Sequence, residues 1–281
     1  MKSTIARFAK AQAFACPLCS QQLQLDQNSL KCPRRHSYDI ARFGYVHLAP
    51  QVRQSKDYDK ASFQNRQLIL EAGFYRHILD SLLQILQETA PHATLLDVGC
   101  GEGYYAREIQ AALPRKKIYA FDLSKESIQL AAKSDKSLAV NWFVGDLARL
   151  PIQEQAVDVV LDIFSPANYQ EFQRVLKKEG LVIKVVPKDS HLQEIREKAV
   201  EQLGRKTYSN QQVIQHFQEH FDILSQQEVE HCQPLQPQER AALIQMTPLL
   251  FHVHQELIDW EDLKQVTISA IILVGKRKQN K

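Results

Sequence analysis

Residues 94–105 read TLLDVGCGEGYY, and the fold of the chain turns on them. A short run rich in Leu and Val closes on Asp97. Gly99, Gly101 and Gly103 then alternate with other residues, and YYAREIQAAL follows with helical spacing. This is a strand, a tight glycine loop and a helix. Alternating glycines let backbone pass close beneath a ligand, and the helix start beyond offers unpaired N–H groups. The loop lacks the G-x-G-x-x-G spacing of the pyrophosphate fingerprint. A carboxylate at Asp97 would repel a phosphate and attract an amino group, so the loop is suited to a zwitterionic amino acid with a nucleoside attached.

Working outward, KIYAFDL, NWFVGDL, VDVVLDIF and GLVIKVVP are further short apolar runs, with SKESIQLAAKS and NYQEFQRVLKK between them. Strands alternating with helices of about ten residues predict an α/β fold with a doubly wound parallel sheet. Asp122, twenty-five residues after Asp97, ends the second strand, where a carboxylate can accept both ribose hydroxyls. Asp146 follows the third strand; it could receive an adenine amino group beside the Leu147 N–H, or cap its own turn. Before the sheet, helical periodicity runs from Tyr58 to about Glu88, broken at Gly73. QVTISAIILVGKRK near the C-terminus reads as one more strand, added to the sheet as an edge hairpin.

The N-terminus carries different chemistry. Cys16, Cys19, Cys32 and His36 read C-x2-C, twelve residues, then C-x3-H. Two tight turns presenting four such ligands fit a closed tetrahedral zinc site of the structural kind. Pro17 and Pro33 stiffen the two turns, and QQLQLDQNSL between them predicts a two-stranded ladder turning at Asp26 to Ser29. His47 and Cys232 lack the spacing to compete. A segment this poor in large apolar residues needs the metal to fold.

Composition sets limits on both halves. At 281 residues, 44% hydrophobic and 24% charged, the chain can bury a substantial core. No run of apolar residues is long enough to span a bilayer, and the N-terminus lacks a secretory pattern. Clustered cysteines that read as metal ligands suit a reducing compartment, so the protein is expected in the cytoplasm, without a membrane partner. Residues 1–60 hold ten Lys and Arg against four Asp, whereas the rest holds 25 against 28 acidic residues. A basic first fifth, with Lys31, Arg34, Arg35 and Arg42 on or near the ribbon, predicts a polyanionic partner.

The zinc pattern followed by HSYDIARFGYVHL, EAGFY, DVGCGEGYY, DLSK and ALIQMTP resembles the bacterial 23S rRNA (guanine-N1)-methyltransferases, from about residue 14 to the C-terminal strand. SPANYQEFQRVLKKEGLVIKVVP is more similar to the branch found in Gram-positive bacteria. The resemblance implies a class I S-adenosylmethionine-dependent methyltransferase with a seven-stranded Rossmann-like sheet. It implies a zinc-binding ribbon for RNA recognition over residues 1–50, a helical linker over 51–90 that contributes to the cofactor pocket, and the methyltransferase domain over 91–281. It assigns cofactor contacts to Tyr75, Tyr105, Ala106 and His191, beside Asp97, Gly99, Gly101, Gly103, Asp122 and Asp146, and it implies a homodimer acting on a 23S rRNA hairpin. Guanine N1 must lose a proton to attack a sulfonium methyl, but no residue is singled out as the base; Asp162 ends the fourth strand, where the resemblance gives no support for that role. A small-molecule methyltransferase and a non-catalytic zinc-dependent RNA-binding protein are the alternatives.

Overall fold

The computed structural model describes residues 3–49, 60–203 and 209–278. The expected helix start at Tyr58 lies outside them. Eleven strands are labelled in chain order. β1 (Gln24–Asp26), β2 (Ser29–Lys31) and β3 (Ser37–Asp39) form a small antiparallel sheet. β4 (Tyr45–His47), β5 (Thr94–Val98), β6 (Lys117–Asp122), β7 (Asn141–Val144), β8 (Val157–Ile163), β9 (Leu176–Pro187), β10 (Phe221–Pro234) and β11 (Gln265–Arg277) form an eight-stranded sheet. Its order is β10-β11-β9-β8-β5-β6-β7-β4. Pairings from β4 to β9 are parallel, and β11 is antiparallel to both neighbours.

The seven strands β5 to β11 are the sheet the resemblance implies. β4 adds an eighth, so residues 45–47 belong to the large sheet although they lie inside the 1–50 segment expected to be the ribbon. The chain runs outward through β5, β6 and β7, then returns to build β8 on the other side of β5. That reversal opens a crevice beyond the carboxyl ends of β5 and β8, where ligands bind in open α/β sheets.

Successive residues of each strand face opposite layers. Ile118 and Ala120 of β6 join a core with Ile78, Leu79, Leu82, Tyr105, Ile109 and Ile128 from the helices Arg76–Gln87, Tyr104–Ala112 and Lys125–Ser134. Tyr119 and Phe121 face the other way, into a core with Phe8, Phe14, Leu23 and Leu30 of the N-terminal segment. The reason lies in the connections: residues 145–156, which link β7 to β8, contain no helix, so the N-terminal segment covers this face instead. Backbone bonds secure it: Ala15 donates to the Pro151 carbonyl at 2.9 Å, Gln153 to Ala13 at 2.7 Å, and Ala13 to the Tyr119 hydroxyl at 3.1 Å. The ribbon and the sheet therefore share one core.

The C-terminal strand forms the expected hairpin at the edge of the sheet, pairing antiparallel with β10. β11 is buried along nearly its whole length, and β10 covers its flank as the outer strand. β10 is exposed at most positions on both faces, so it lacks the alternation that marks a half-buried strand.

Candidate cofactor crevice and metal centre

The four N-terminal ligands meet as the spacing predicts. The metal-binding atoms of Cys16, Cys19, Cys32 and His36 all lie within 4.8 Å of one another. Cys19 and Cys32 Sγ are 3.6 Å apart, and Nδ1 of His36 is 3.4 Å from Sγ of both Cys16 and Cys32. A tetrahedron with Zn–S of about 2.3 Å and Zn–N of about 2.0 Å has edges of about 3.6 to 3.8 Å, so the donor set fits zinc with little movement. The expected β1–β2 ladder is present, its turn passing through Gln27 at φ +54°, and β3 adds a third strand. The Tyr38 hydroxyl lies 3.4 Å from Cys16 Sγ. Burial, with help from the neighbouring thiols, raises its pKa, so it stays protonated and can donate to a metal-bound thiolate. With all four positions filled by protein the zinc is structural. Arg34 and Arg35 are exposed beside it and have no ion-pair partner among the described residues, whereas Lys31 is paired with Asp26 at 2.8 Å.

At the carboxyl ends of β5 and β6 the glycine loop folds over a group of buried acids. Gly101 has φ +56°, and the nearest atoms to a Cβ built there are those of the Arg66 guanidinium, at 3.5 Å. A side chain there would therefore point into the crevice, which is the close approach the sequence suggests. Gly103, at φ +79°, is different: a Cβ there would strike Trp142 at 2.4 Å, so packing of the helix on β7 requires glycine. Gly99 is closed over by Ser165, whose Oγ would lie 2.3 Å from an added Cβ. Of the three glycines, Gly101 is therefore the one whose backbone faces the crevice.

Asp97 is 2% exposed, and its Oδ2 has no hydrogen-bond partner among the described residues. Burial, reinforced by the charges of Asp122, Glu102 and Asp162 against the pull of Arg66, raises its pKa to about 7. An unpaired buried carboxylate of this kind fits the ammonium of an amino acid. Asp122 accepts the Gly101 N–H at 3.0 Å and the Ser124 N–H at 2.8 Å, which aims the carboxylate and leaves lone pairs for ribose hydroxyls. Burial raises its pKa, opposed by those two bonds. The N–H groups of Tyr105 and Ala106 lie in the first turn of Tyr104–Ala112, where intrahelical partners are missing. Asp146 is half-buried and accepts the Ala148 N–H at 2.9 Å, so it caps its own turn and has one oxygen left for a ligand.

Beside this group a cavity of about 170 Å³ is lined by Tyr75, Tyr105 and His191, three residues assigned by resemblance, together with Phe164, Arg66 and Thr247. Rings of Tyr75, Phe164 and His191 contact one another at centroid distances of 5.5 to 6.1 Å. Such walls suit a sulfonium cation or a flat base. His191 Nδ1 accepts the Ser269 N–H at 3.2 Å, and burial followed by Arg196 pushes its pKa down to about 4, so the ring is neutral.

Three contributors were missed from sequence. Phe164 adopts φ +52°, rare for an aromatic residue, and nothing in LDIFSP announces it. Glu102, inside the glycine loop, is buried with neither oxygen hydrogen-bonded among the described residues. Arg66 had a legible signal: with Phe63 and Leu70 it forms an i, i+3, i+7 stripe on Lys60–Glu71, where an apolar residue is expected.

These features define a class I S-adenosylmethionine-dependent methyltransferase with a structural Cys3His zinc ribbon. A family model described as a methyltransferase domain matches residues 95–180, and one described as "RlmA, N-terminal" matches residues 14–56. YxjB of Bacillus subtilis, which bears a 23S rRNA (guanine-N(1)-)-methyltransferase name, is 34% identical over 281 residues, covering 94% of this chain and 97% of its own. The 23S rRNA (guanine(748)-N(1))-methyltransferase of Streptomyces fradiae is 22% identical over 98% of both chains. A methyltransferase structure from Bacillus halodurans superposes with a TM-score of 0.50 at 19% identity, over 72% of this chain and 99% of that one. The chain belongs to the 23S rRNA (guanine-N1)-methyltransferase family.

Proposed function

We propose that the protein transfers the methyl group of S-adenosylmethionine to N1 of a guanine in a 23S rRNA hairpin, in the cytoplasm. One observation carries this reading: a ribbon with exposed Arg34 and Arg35 is packed into the same core as the sheet that forms the cofactor crevice. The names of the two full-length relatives agree with it. A small-molecule enzyme has no need of a basic metal ribbon. The malonyl-[acyl-carrier protein] O-methyltransferase of Hahella chejuensis, 29% identical, matches only 41% of this chain.

A base buried in a duplex cannot reach the crevice, so the guanine is presented from a loop or flipped out, and the rings of Tyr75 and Phe164 offer stacking surfaces. Its N1 proton must leave as the methyl arrives. Asp162 is poorly placed to accept it. Its side chain is fully enclosed and its Oδ2 accepts Lys184 Nζ at 2.6 Å, while Lys184 also donates to the Ser165 carbonyl at 3.3 Å. This pair holds the Phe164–Ser165 turn; methyl transfer then depends on orientation and a water or backbone acceptor. A homodimer with two ribbons bordering one RNA cleft completes the proposal.

The test is nucleoside mapping by mass spectrometry of 23S rRNA from a deletion strain and its complement. Loss of one N1-methylguanosine and its return is the expected result; an unchanged methylation map would refute the reading.

A further inference from the structure

The crevice that must accept a zwitterion is lined with acids. Asp97, Glu102 and Asp122 are all buried or nearly so at its floor, and among the described residues lining the adjoining cavity Arg66 is the only one with a permanent charge. S-adenosylmethionine carries an α-ammonium, a sulfonium and an α-carboxylate. The two cations suit this floor. The carboxylate would be repelled by it, unless a cation stands between.

Arg66 has the position and the spare capacity. Its guanidinium lies over Gly101, with Cζ and Nη1 each 3.5 Å from where a Cβ would be. Its Nε is 3.6 Å from Glu102 Oε2, longer than the 2.7 to 2.9 Å of a charge-assisted hydrogen bond. Glu102 has no hydrogen bond to it, so the guanidinium fork is not spent on that partner. Burial opposes its charge, but Glu102 first, then Tyr105, Tyr75 and Asp122, outweigh burial and keep it cationic. The helix that carries it is fixed over the crevice. Arg107 from the glycine-loop helix bonds Glu71 at 3.3 Å, and Asn65 bonds Gln245 at 2.8 Å. An arginine on the inward stripe of a fixed helix, loosely paired and aimed at a glycine loop, is prearranged for a planar anion.

We infer that Arg66 receives the α-carboxylate of the cofactor, and that it gives an otherwise cation-selective crevice its affinity for an amino acid. The inference rests on S-adenosylmethionine as the cofactor and is independent of which nucleotide is methylated.

Calorimetric binding of S-adenosylmethionine and of decarboxylated S-adenosylmethionine, which differs only by the missing carboxylate, tests it. Wild type should prefer the intact cofactor by about 10- to 100-fold, the worth of hydrogen bonds to a charged group. Arg66→Met should lose that preference by weakening the intact cofactor alone, with the decarboxylated form bound as well as before or more tightly. Arg66→Lys should keep part of the preference. Equal weakening of both ligands in Arg66→Met would make Arg66 a structural counter-ion and overturn the inference. Wild type that fails to discriminate would overturn it without any variant, and wild type that binds neither ligand would instead remove the cofactor site itself.

Discussion

Cofactor affinity should depend on pH through Asp97, and the size of the effect follows from its burial. With its pKa held up to about 7, the carboxyl is half protonated at neutral pH before the cofactor enters. An ammonium against Oδ2 favours the ionised form, so binding must expel the proton. The sign follows: affinity rises as pH rises through about 7 and falls below it. At pH 5.5 about 3% of the empty sites are ionised against half at pH 7, a loss of about 15-fold, or about 1.6 kcal/mol. Above about pH 8 the ligand's own α-amino group loses its charge, so affinity should peak between the two. Titration calorimetry in buffers of different ionisation enthalpy reads both the affinity and the proton released. Asp97→Asn should bind weakly and lose most of the pH dependence seen in wild type over pH 5.5 to 7. His191, with its pKa near 4, does not titrate in this window. Constant wild-type affinity across it, with no proton released, would refute the assignment of Asp97 to the amino group.

Purified protein should contain one zinc per chain by metal analysis, and Cys19→Ser or Cys32→Ser should lower stability by several kcal/mol, with the ribbon and the sheet losing structure in one transition because they share a core. Lys184→Met should cost about 3 to 5 kcal/mol in chemical denaturation by leaving Asp162 buried and unpaired, and Lys184→Met with Asp162→Leu should recover much of that loss. Replacing Arg34 and Arg35 together by Ala should weaken binding of a hairpin RNA and reduce its salt slope by about 0.7 to 0.9 per lost phosphate contact, measured by fluorescence anisotropy, while cofactor affinity stays unchanged.

The parts legible in the sequence are those whose chemistry is local. Cys16, Cys19, Cys32 and His36 announce themselves by spacing, and Asp97 and Asp122 by their places at strand ends. β5 to β9 are visible because strands buried on both faces read as apolar runs. β10 is illegible because an edge strand exposed on both faces has no pattern to show, and β4 because three residues are too few to carry one. Arg66 and Phe164 are harder for another reason. Each lies far in sequence from the glycine loop and is brought to it by tertiary packing, one by the placement of a helix and the other by a turn tied down through Lys184. Tyr75 and His191 came from family resemblance, and nothing in their own neighbourhoods separates them from packing residues.

The pairing of β4 with β7 sets an order of events during synthesis. Tyr45 must wait for Trp142, nearly a hundred residues further along the chain, before it can join the sheet. The zinc ligands all fall between residues 16 and 36, so their loops close early and at small entropic cost. The nascent chain can therefore carry a metal-loaded ribbon well before any large sheet exists to receive it. Phe8, Phe14 and Leu23 then remain exposed until β6 and β7 arrive.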